Sequence, residues 1–443
     1  MEKELPKNWV EINLEDILDR MTNGVNLPQK DIAFEDSYPI SRIETIAEET
    51  INFERVKYAT VSKEQIQKYR LKRGDILFSH INSDKHLGKT AIYQSENILI
   101  HGINLLLFRT SKFYNPYLLN YFLKYYRYTG KFMEVAQRAV NQSSINQKKL
   151  NSFIFPLPPL SEQNRIVDKL DRLFGQLEVI KSSMEKIPVL LKNFRQQILT
   201  QAVTGKLTEE WRLEKELQEW RTDIIKNIAT KMASGSTPRG GSDSYTSEGI
   251  PLVRSMNVVF GGIKLDGLAF INEDQAKVLK NVEIFFEDVL INITGASIGR
   301  VCLADKNVTG GRINQHVFII RSKREIVLPK YLETYLSSNL IQKIIDDIKY
   351  GAGMEAISKT QIENMEINLP PIEEQQEIVS RVESLFAKAD AIEEKYKNLK
   401  AKIETLPQTI LHKAFKGELS EQFESDGDAK DLLEEIMALK RMK

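Results

Sequence analysis

Leu157-Pro158-Pro159-Leu160-Ser161-Glu162-Gln163 and, 212 residues further on, Leu369-Pro370-Pro371-Ile372-Glu373-Glu374-Gln375 decide how this chain is built. Each opens a long run of charged residues with regularly spaced apolar ones. Aligned without gaps, residues 157–211 match residues 369–423 at 17 of 55 positions. The identities reach Ala202 and Ala414, Gly205 and Gly417, and Leu207 and Leu419 at the ends of the runs. A fixed internal period of this size marks a duplicated unit.

The apolar residues of the first run are Ile166, Leu170, Leu173, Leu177, Ile180, Met184, Ile187, Leu191, Phe194 and Ile198, stepping by four and three in turn. Those of the second step identically: Ile378, Val382, Leu385, Ala389, Ile392, Tyr396, Leu399, Ile403, Leu406 and Ile410. A strict 3.5-residue repeat holds a narrow seam against one partner helix and predicts a coiled coil. An amphipathic helix on an ordinary core is the alternative, but the positions between are mostly charged or amide. Pro188 and Pro407 each remove a backbone donor and predict a kink or interruption. About 40 helical residues span roughly 60 Å, whereas the ~150-residue stretch between Trp220 and Asn368 has an expected radius of gyration near ~15 Å. So small a globule cannot return the chain along the full length of a parallel helix, so the two runs are expected to be antiparallel. The predicted fold is α+β: two similar α+β domains separated by an antiparallel coiled coil of two long helices, with a pseudo-twofold axis. The expected segments are 1–155, a first helical region 156–215, 216–367, a second helical region 368–424, and an acidic amphipathic tail 425–443.

At 443 residues, with 42% apolar ones, two or three domains with real cores are expected. No run of apolar residues is long enough to span a membrane. The Met1-Glu2-Lys3-Glu4 start lacks the apolar core of a signal peptide. Cys302 alone forms no internal disulfide. A cytoplasmic location is the expectation.

The two globular segments resemble each other faintly. Both carry β-type runs, Gly74-Asp75-Ile76-Leu77-Phe78 against Glu287-Asp288-Val289-Leu290-Ile291. Pro39-Ile40-Ser41-Arg42 aligns with Pro251-Leu252-Val253-Arg254, and Gly102-Ile103-Asn104 with Arg312-Ile313-Asn314. Each finishes with a helix opened by proline, at Pro116 and Pro329. Between these frames the loops diverge, as in two readers of different ligands; drift in unselected loops would look the same.

Two variable globules alternating with two Leu-Pro-Pro-x-x-Glu-Gln helical segments resemble the specificity subunit of a type I restriction-modification system over essentially the whole chain. The resemblance implies that each globule is a target recognition domain reading one half of a bipartite sequence. It further implies that the helices set the spacing and hold two methyltransferase subunits, with restriction subunits as further partners. It implies no catalysis and no cofactor on this chain, the methyl donor and nucleotide belonging to partner subunits, and no membrane partner.

The net charge of +1 does not by itself suggest a nucleic-acid binder. Between Asn97 and Ser161, however, eight Lys or Arg (Arg109, Lys112, Lys124, Arg127, Lys131, Arg138, Lys148, Lys149) face one acid, Glu134, with Tyr114, Tyr117, Tyr121, Tyr125, Tyr126 and Tyr128 interleaved. Such a strip suits a phosphate backbone, or else is a solvated helix face with tyrosines buried behind it. Residues 218–367 hold 18 basic and 18 acidic residues, so DNA contacts there must be concentrated in loops. Candidate DNA-binding residues are Arg42, Ser79, His80, Asn82, Lys85, Lys89, Arg138, Asn141, Gln142 and Ser143 in the first globule. In the second they are Arg239, Arg254, Thr294, Ser297, Arg300, Arg312, Gln315 and His316. Arg, Lys, Asn and Gln make the paired hydrogen bonds that discriminate base edges.

Enzymatic readings are incomplete. Gly88-Lys89-Thr90 ends like a phosphate-binding loop, but Ser83 stands where its first glycine belongs. Asn115-Pro116-Tyr117 lacks the second proline of an adenine-methyltransferase motif. The histidines and Cys302 show no metal-ligand spacing. The rival readings are a non-enzymatic protein-binding scaffold on a coiled-coil spacer and a self-sufficient methyltransferase.

Overall fold

The structure is a computed structural model and describes residues 5–140, 142–351 and 356–441. The chain divides into two compact units, residues 1–184 with 398–443, and residues 185–397. Both divisions fall inside the helical segments.

Each unit is built around a four-stranded antiparallel sheet of the same strand order. In unit 1 the order is Leu18–Asn23, Leu106–Thr110, Ile76–Phe78, Thr90–Ile92. In unit 2 it is Ala229–Ser234, Val317–Ser322, Val289–Asn292, Val301–Leu303. The first strand of each sheet shifts register at the same place, between Leu18 and Arg20 and between Ala229 and Lys231. Both sheets are covered on two faces, so their strands read as apolar runs whose alternate residues enter different cores. Ile76 and Phe78 join one core of unit 1 while Leu77 joins the other. Val289 and Ile291 likewise separate from Leu290 in unit 2. A buried aspartate at the start of the third strand takes a bidentate arginine from the second, Arg109 on Asp75 at 2.7 and 2.6 Å and Arg321 on Asp288 at 2.8 and 2.7 Å. A shorter antiparallel pair closes each domain, Val10–Asn13 with Ile154–Leu157 and Arg221–Ile224 with Glu366–Leu369. The two α+β domains are therefore similar in topology, register and buried ion pair.

The repeated motif sits where the closing strand passes into the long helix, and both of its polar residues are buried. The Gln163 amide oxygen accepts from the Asn115 backbone N–H at 2.7 Å, and its nitrogen donates to the Phe113 and Pro158 carbonyls. Gln375 makes the same set with the Leu328 N–H at 2.8 Å and the Ile326 and Pro370 carbonyls. The glutamates hold the other side. Glu162 accepts from the Trp9 indole, the Ser420 hydroxyl and the Gln422 amide, each at 2.8 Å. Glu374 accepts from the Trp220 indole at 3.0 Å, the Thr208 hydroxyl at 2.8 Å and Arg212. Gly205 and Gly417, which follow the helical runs, adopt φ of +79° and +71°. A side chain at Gly417 would strike Pro6 at 2.3 Å, so glycine is required there twice over.

In unit 2 the helix Ile187–Val203 lies antiparallel to the first part of Ile372–Phe415. Arg195 reaches Asp390 at 2.6 Å and Glu393 at 2.9 Å, whereas Arg381 reaches back to the Leu207 carbonyl. In unit 1 the helix Leu160–Met184 shares a core with Leu411 and Ala414. Pro188 interrupts the first helical run, opening a new helix after Glu185 and Lys186, while Pro407 lies within a helix that continues unbroken. Of the seam positions, Ile166, Leu170, Leu177, Leu191, Ile378, Val382 and Ile403 are buried, and Leu173 and Leu385 are half-buried. Ile180, Ile392 and Leu399 are exposed, contrary to the repeat. The seam positions beside them, Met184, Ala389 and Ile403, are buried, so the 3.5-residue period overstates a seam that is covered only at some of its steps. The acidic tail is a helix, Ala429–Arg441, that covers its own chain. Its Ala429 and Ile436 enter the core of unit 1, and Lys440 pairs with Asp16 at 2.7 Å.

Two histidines lie inside unit 1. His101 donates from Nε2 to the Thr22 carbonyl at 3.1 Å, and the Asn23 amide donates to His80 Nε2 at 3.4 Å. Burial pushes both imidazoles down to about 4.

Two stability predictions follow from these contacts. Replacing Gln375 by alanine orphans the Leu328 N–H and two carbonyls, and should cost about 2–4 kcal/mol, read as a lower urea midpoint with unchanged slope. Gln375→Glu, which cannot donate, should recover little of that loss. The histidines make unit 1 acid-sensitive: the unfolded chain takes up protons near pH 6.5 while the fold holds both rings neutral to about pH 4. Their stabilisation is therefore complete above pH 6.5 and is lost as pH falls towards 4. Melting at pH 7.5 and pH 5 should show this drop, and a His80→Asn/His101→Asn variant should show less of it.

Candidate nucleic-acid interface

In unit 1 the strand Ile76–Phe78 runs through Ser79 and His80 into the short strand Ile81–Asn82. The latter pairs with Gln142–Ser144, which pairs in turn with Gln137–Ala139. Arg138, Gln142 and Lys85 are exposed on this small sheet and its adjoining loop. Asn82 is half-buried and donates to the Ser79 hydroxyl at 3.1 Å. Asn141 lies outside the described residues.

Three expected readers in this unit are enclosed. Ser79, His80 and Ser143 are buried, Ser143 donating to the Asp84 carboxylate. Ser79 and Ser143 brace the loops through these bonds, whereas His80 accepts from Asn23 on Nε2 and its buried Nδ1 has no partner among the described residues. Lys89 is half-buried with its ammonium on the Ala47 carbonyl, and burial lowers its pKa. Arg42 lies 3.5 Å from Glu44. The basic strip is mostly consumed internally: Arg109 on Asp75, Lys124 and Arg127 on Glu49, Lys131 on Glu134. Its tyrosines 117, 121, 125 and 126 pack against the core. On the helix Pro116–Tyr128 the two basic residues, Lys124 and Arg127, are three positions apart and so share a face, which Glu49 occupies.

In unit 2 the equivalent strand Val289–Asn292 leads to Thr294, which bridges to Ala356 as Ile81 and Asn82 pair with residues 143–144. Gln315 and His316 lie beside it. The Gln315 amide oxygen accepts from Thr237, its nitrogen donates to His316 Nε2 at 3.0 Å, and His316 Nδ1 meets the Thr294 hydroxyl. Asn292 donates to the Ser297 hydroxyl at 3.1 Å and to the Ser255 carbonyl at 2.8 Å. Arg239 and Arg300 are exposed. Arg312 is not available: it is buried, donating to the carbonyls of Ala276, Gly310 and Gly311 at 3.1, 2.6 and 2.9 Å. A guanidinium carries five donors, so it ties the Gly310–Gly311 turn to the Ala276 carbonyl, with the Glu283 carboxylate 3.5 Å away. Arg254 is half-buried over the Tyr245 ring, donating to the Gly267 carbonyl at 2.6 Å.

The structure thus brings together Thr294, Ser297, Arg300, Gln315, His316 and, through Thr237, the Arg239 loop. Sequence reading missed Asn23 and Asp84 in unit 1 and Thr237, Ser255 and Asn292 in unit 2. Thr237 stood within a Gly/Ser-rich loop, Gly235 to Gly241, whose composition marks it. Asn23 and Asn292 end strands, and nothing in their local sequence distinguishes them from caps. Among the described residues no group of three His, Cys, Asp or Glu could hold a metal ion, and no helix is long and apolar enough to cross a membrane.

With this geometry in place, comparison with known proteins is specific. The type I restriction modification DNA specificity domain matches twice, over residues 6–188 and 218–403. The chain is 35% identical over 429 residues to the putative type I restriction enzyme MjaX specificity subunit of Methanocaldococcus jannaschii, covering 94% of this chain and 95% of that one. It is 34% identical over 325 residues to the EcoBI specificity subunit of Escherichia coli, covering 67% and 68% of the two chains. The crystal structure of the HsdS subunit from Thermoanaerobacter tengcongensis superposes with a TM-score of 0.62 at 16% identity, covering 94% of this chain and 99% of that one. At that identity it supports the fold alone. A duplicated α+β frame, a motif clamp present in both copies and a family match over both halves together show that the chain belongs to the specificity subunits of type I restriction-modification systems.

Proposed function

We propose that each unit reads one half of a bipartite double-stranded DNA target, and that the helical segments set the spacing and dock two methyltransferase subunits. The observation that carries this reading is the contrast within the duplication. Sheet order, register shift, buried Asp–Arg pair and motif clamp recur in both units, while the polar groups beside the third strand do not. Arg138, Gln142 and Lys85 stand there in unit 1, and Thr294, Gln315, His316 and Arg300 in unit 2. A common frame with different hydrogen-bonding surfaces suits two readers of unlike sequences.

Catalysis belongs to the partners on this reading. The methyl donor and the nucleotide bind to methyltransferase and restriction subunits, and this chain supplies address and geometry. Two nearly equivalent surfaces favour two methyltransferase subunits per chain. Binding to DNA should weaken steeply with salt, since phosphate contacts release counterions. A scaffold for apolar protein contacts would not show that dependence.

The deciding experiment is an exchange of residues 1–155 for the corresponding segment of another specificity subunit, followed by methylation mapping in cells with the cognate methyltransferase. One half of the methylated sequence should change and the other persist. Alteration of both halves would show that the units do not read independently.

A further inference from the structure

The hydrogen-bond chain in unit 2 has a direction. An amide nitrogen can only donate, so His316 Nε2, which faces the Gln315 nitrogen at 3.0 Å, must offer its lone pair. The ring proton then sits on Nδ1 and is donated to the Thr294 hydroxyl oxygen. The other end is fixed in the same sense, because the Gln315 carbonyl oxygen accepts from Thr237. A second side chain does the same next to it: the Asn292 amide donates to the Ser297 hydroxyl oxygen at 3.1 Å, and to the Ser255 carbonyl. Thr294 and Ser297 therefore each accept from within, and among the described residues neither hydroxyl has an internal acceptor for its own proton. What remains to face a ligand is mostly donors, namely two hydroxyl protons, the second Gln315 N–H and the exposed guanidiniums of Arg239 and Arg300, against one remaining lone pair on each hydroxyl and on the Gln315 carbonyl oxygen.

We propose that this donor array reads guanine in the half-site of unit 2. The inference rests on the DNA-reading function proposed above and goes further by naming the base. In the major groove guanine presents two acceptors, N7 and O6, and no donor. Cytosine presents an amino donor, adenine pairs an acceptor with a donor, and thymine pairs an acceptor with a methyl group. A surface whose free valences are mostly donors, among them guanidiniums that can only donate, fits guanine better than cytosine. Phosphate oxygens are acceptors too, so the array's target could be backbone rather than base, and the experiment separates the two.

Methylation mapping is performed in cells carrying the cognate methyltransferase and this subunit, its Ser297→Ala and Thr294→Val variants, or a chimera with residues 216–367 exchanged. The chimera identifies which half-site belongs to unit 2. Ser297→Ala removes one outward donor and leaves the Gln315–His316–Thr294 chain intact, so it tests the array even where Thr294→Val disturbs the fold. The expected result is an invariant guanine in that half-site, with an about tenfold loss of discrimination at that one position in the Ser297 variant. A half-site with no guanine on either strand overturns the proposal. So does a variant whose methylation of every sequence falls equally, which places the donors on phosphates, and so does a variant that behaves as the parent. If no bipartite target emerges at all, or the chimera alters both halves, the DNA-reading function itself fails, an outcome distinct from a bipartite target lacking guanine.

Discussion

Two carboxylates removed from water hold this molecule in shape. Glu162 and Glu374 are fully buried at the junction between a closing strand and a long helix. A buried charge of this kind is tolerated only when it is surrounded by donors. The indoles of Trp9 and Trp220, with the hydroxyls of Ser420 and Thr208, supply them. Each glutamate thereby ties three separated segments: the strand entering the domain, the helix leaving it, and the turn that follows the partner helical run. The neighbouring Gln163 and Gln375 fasten the start of the proline-opened helix to the same point. The domains, their helices and the left-handed glycines at 205 and 417 all converge on these clamps.

This arrangement explains how one frame can serve two different surfaces. The stabilising contacts lie at the base of each domain and on the two faces of its sheet. The polar loops lie beyond the third strand, where the chain continues past the buried Ser79 and Asn292 into unlike sequences. Substitution in those loops leaves the clamp and the buried Asp–Arg pair untouched. The tail helix Ala429–Arg441 belongs to the same economy of the fold, since its Ala429 and Ile436 complete the core of unit 1 next to the Trp9 clamp.

Local sequence carries no record of what surrounds a side chain. Arg312 and Arg300 are twelve residues apart and chemically identical, yet one is buried against three carbonyls and the other is exposed. His80 and His316 both follow strands, but only His80 is enclosed. The basic strip from Arg109 to Lys149 is a run only along the chain, and the helix that carries part of it turns its charges towards Glu49. Pro188 and Pro407 have the same local character, and only the first interrupts a helix.

The sequence by itself determined the duplication, the two α+β domains, the helical runs and the family, because each is written in period and spacing. A 212-residue repeat, a step of four and three, and apolar runs bounded by Gly and Asn are one-dimensional signals of secondary structure and its repetition. Only the tertiary structure decided that the motif's Glu and Gln are buried clamps, which basic residues remain exposed, and that Thr237, Thr294, Gln315 and His316 form one hydrogen-bonded chain. Those outcomes depend on contacts between residues up to 260 positions apart, and on burial, which sets whether a polar group needs a partner inside the protein or can take one from outside.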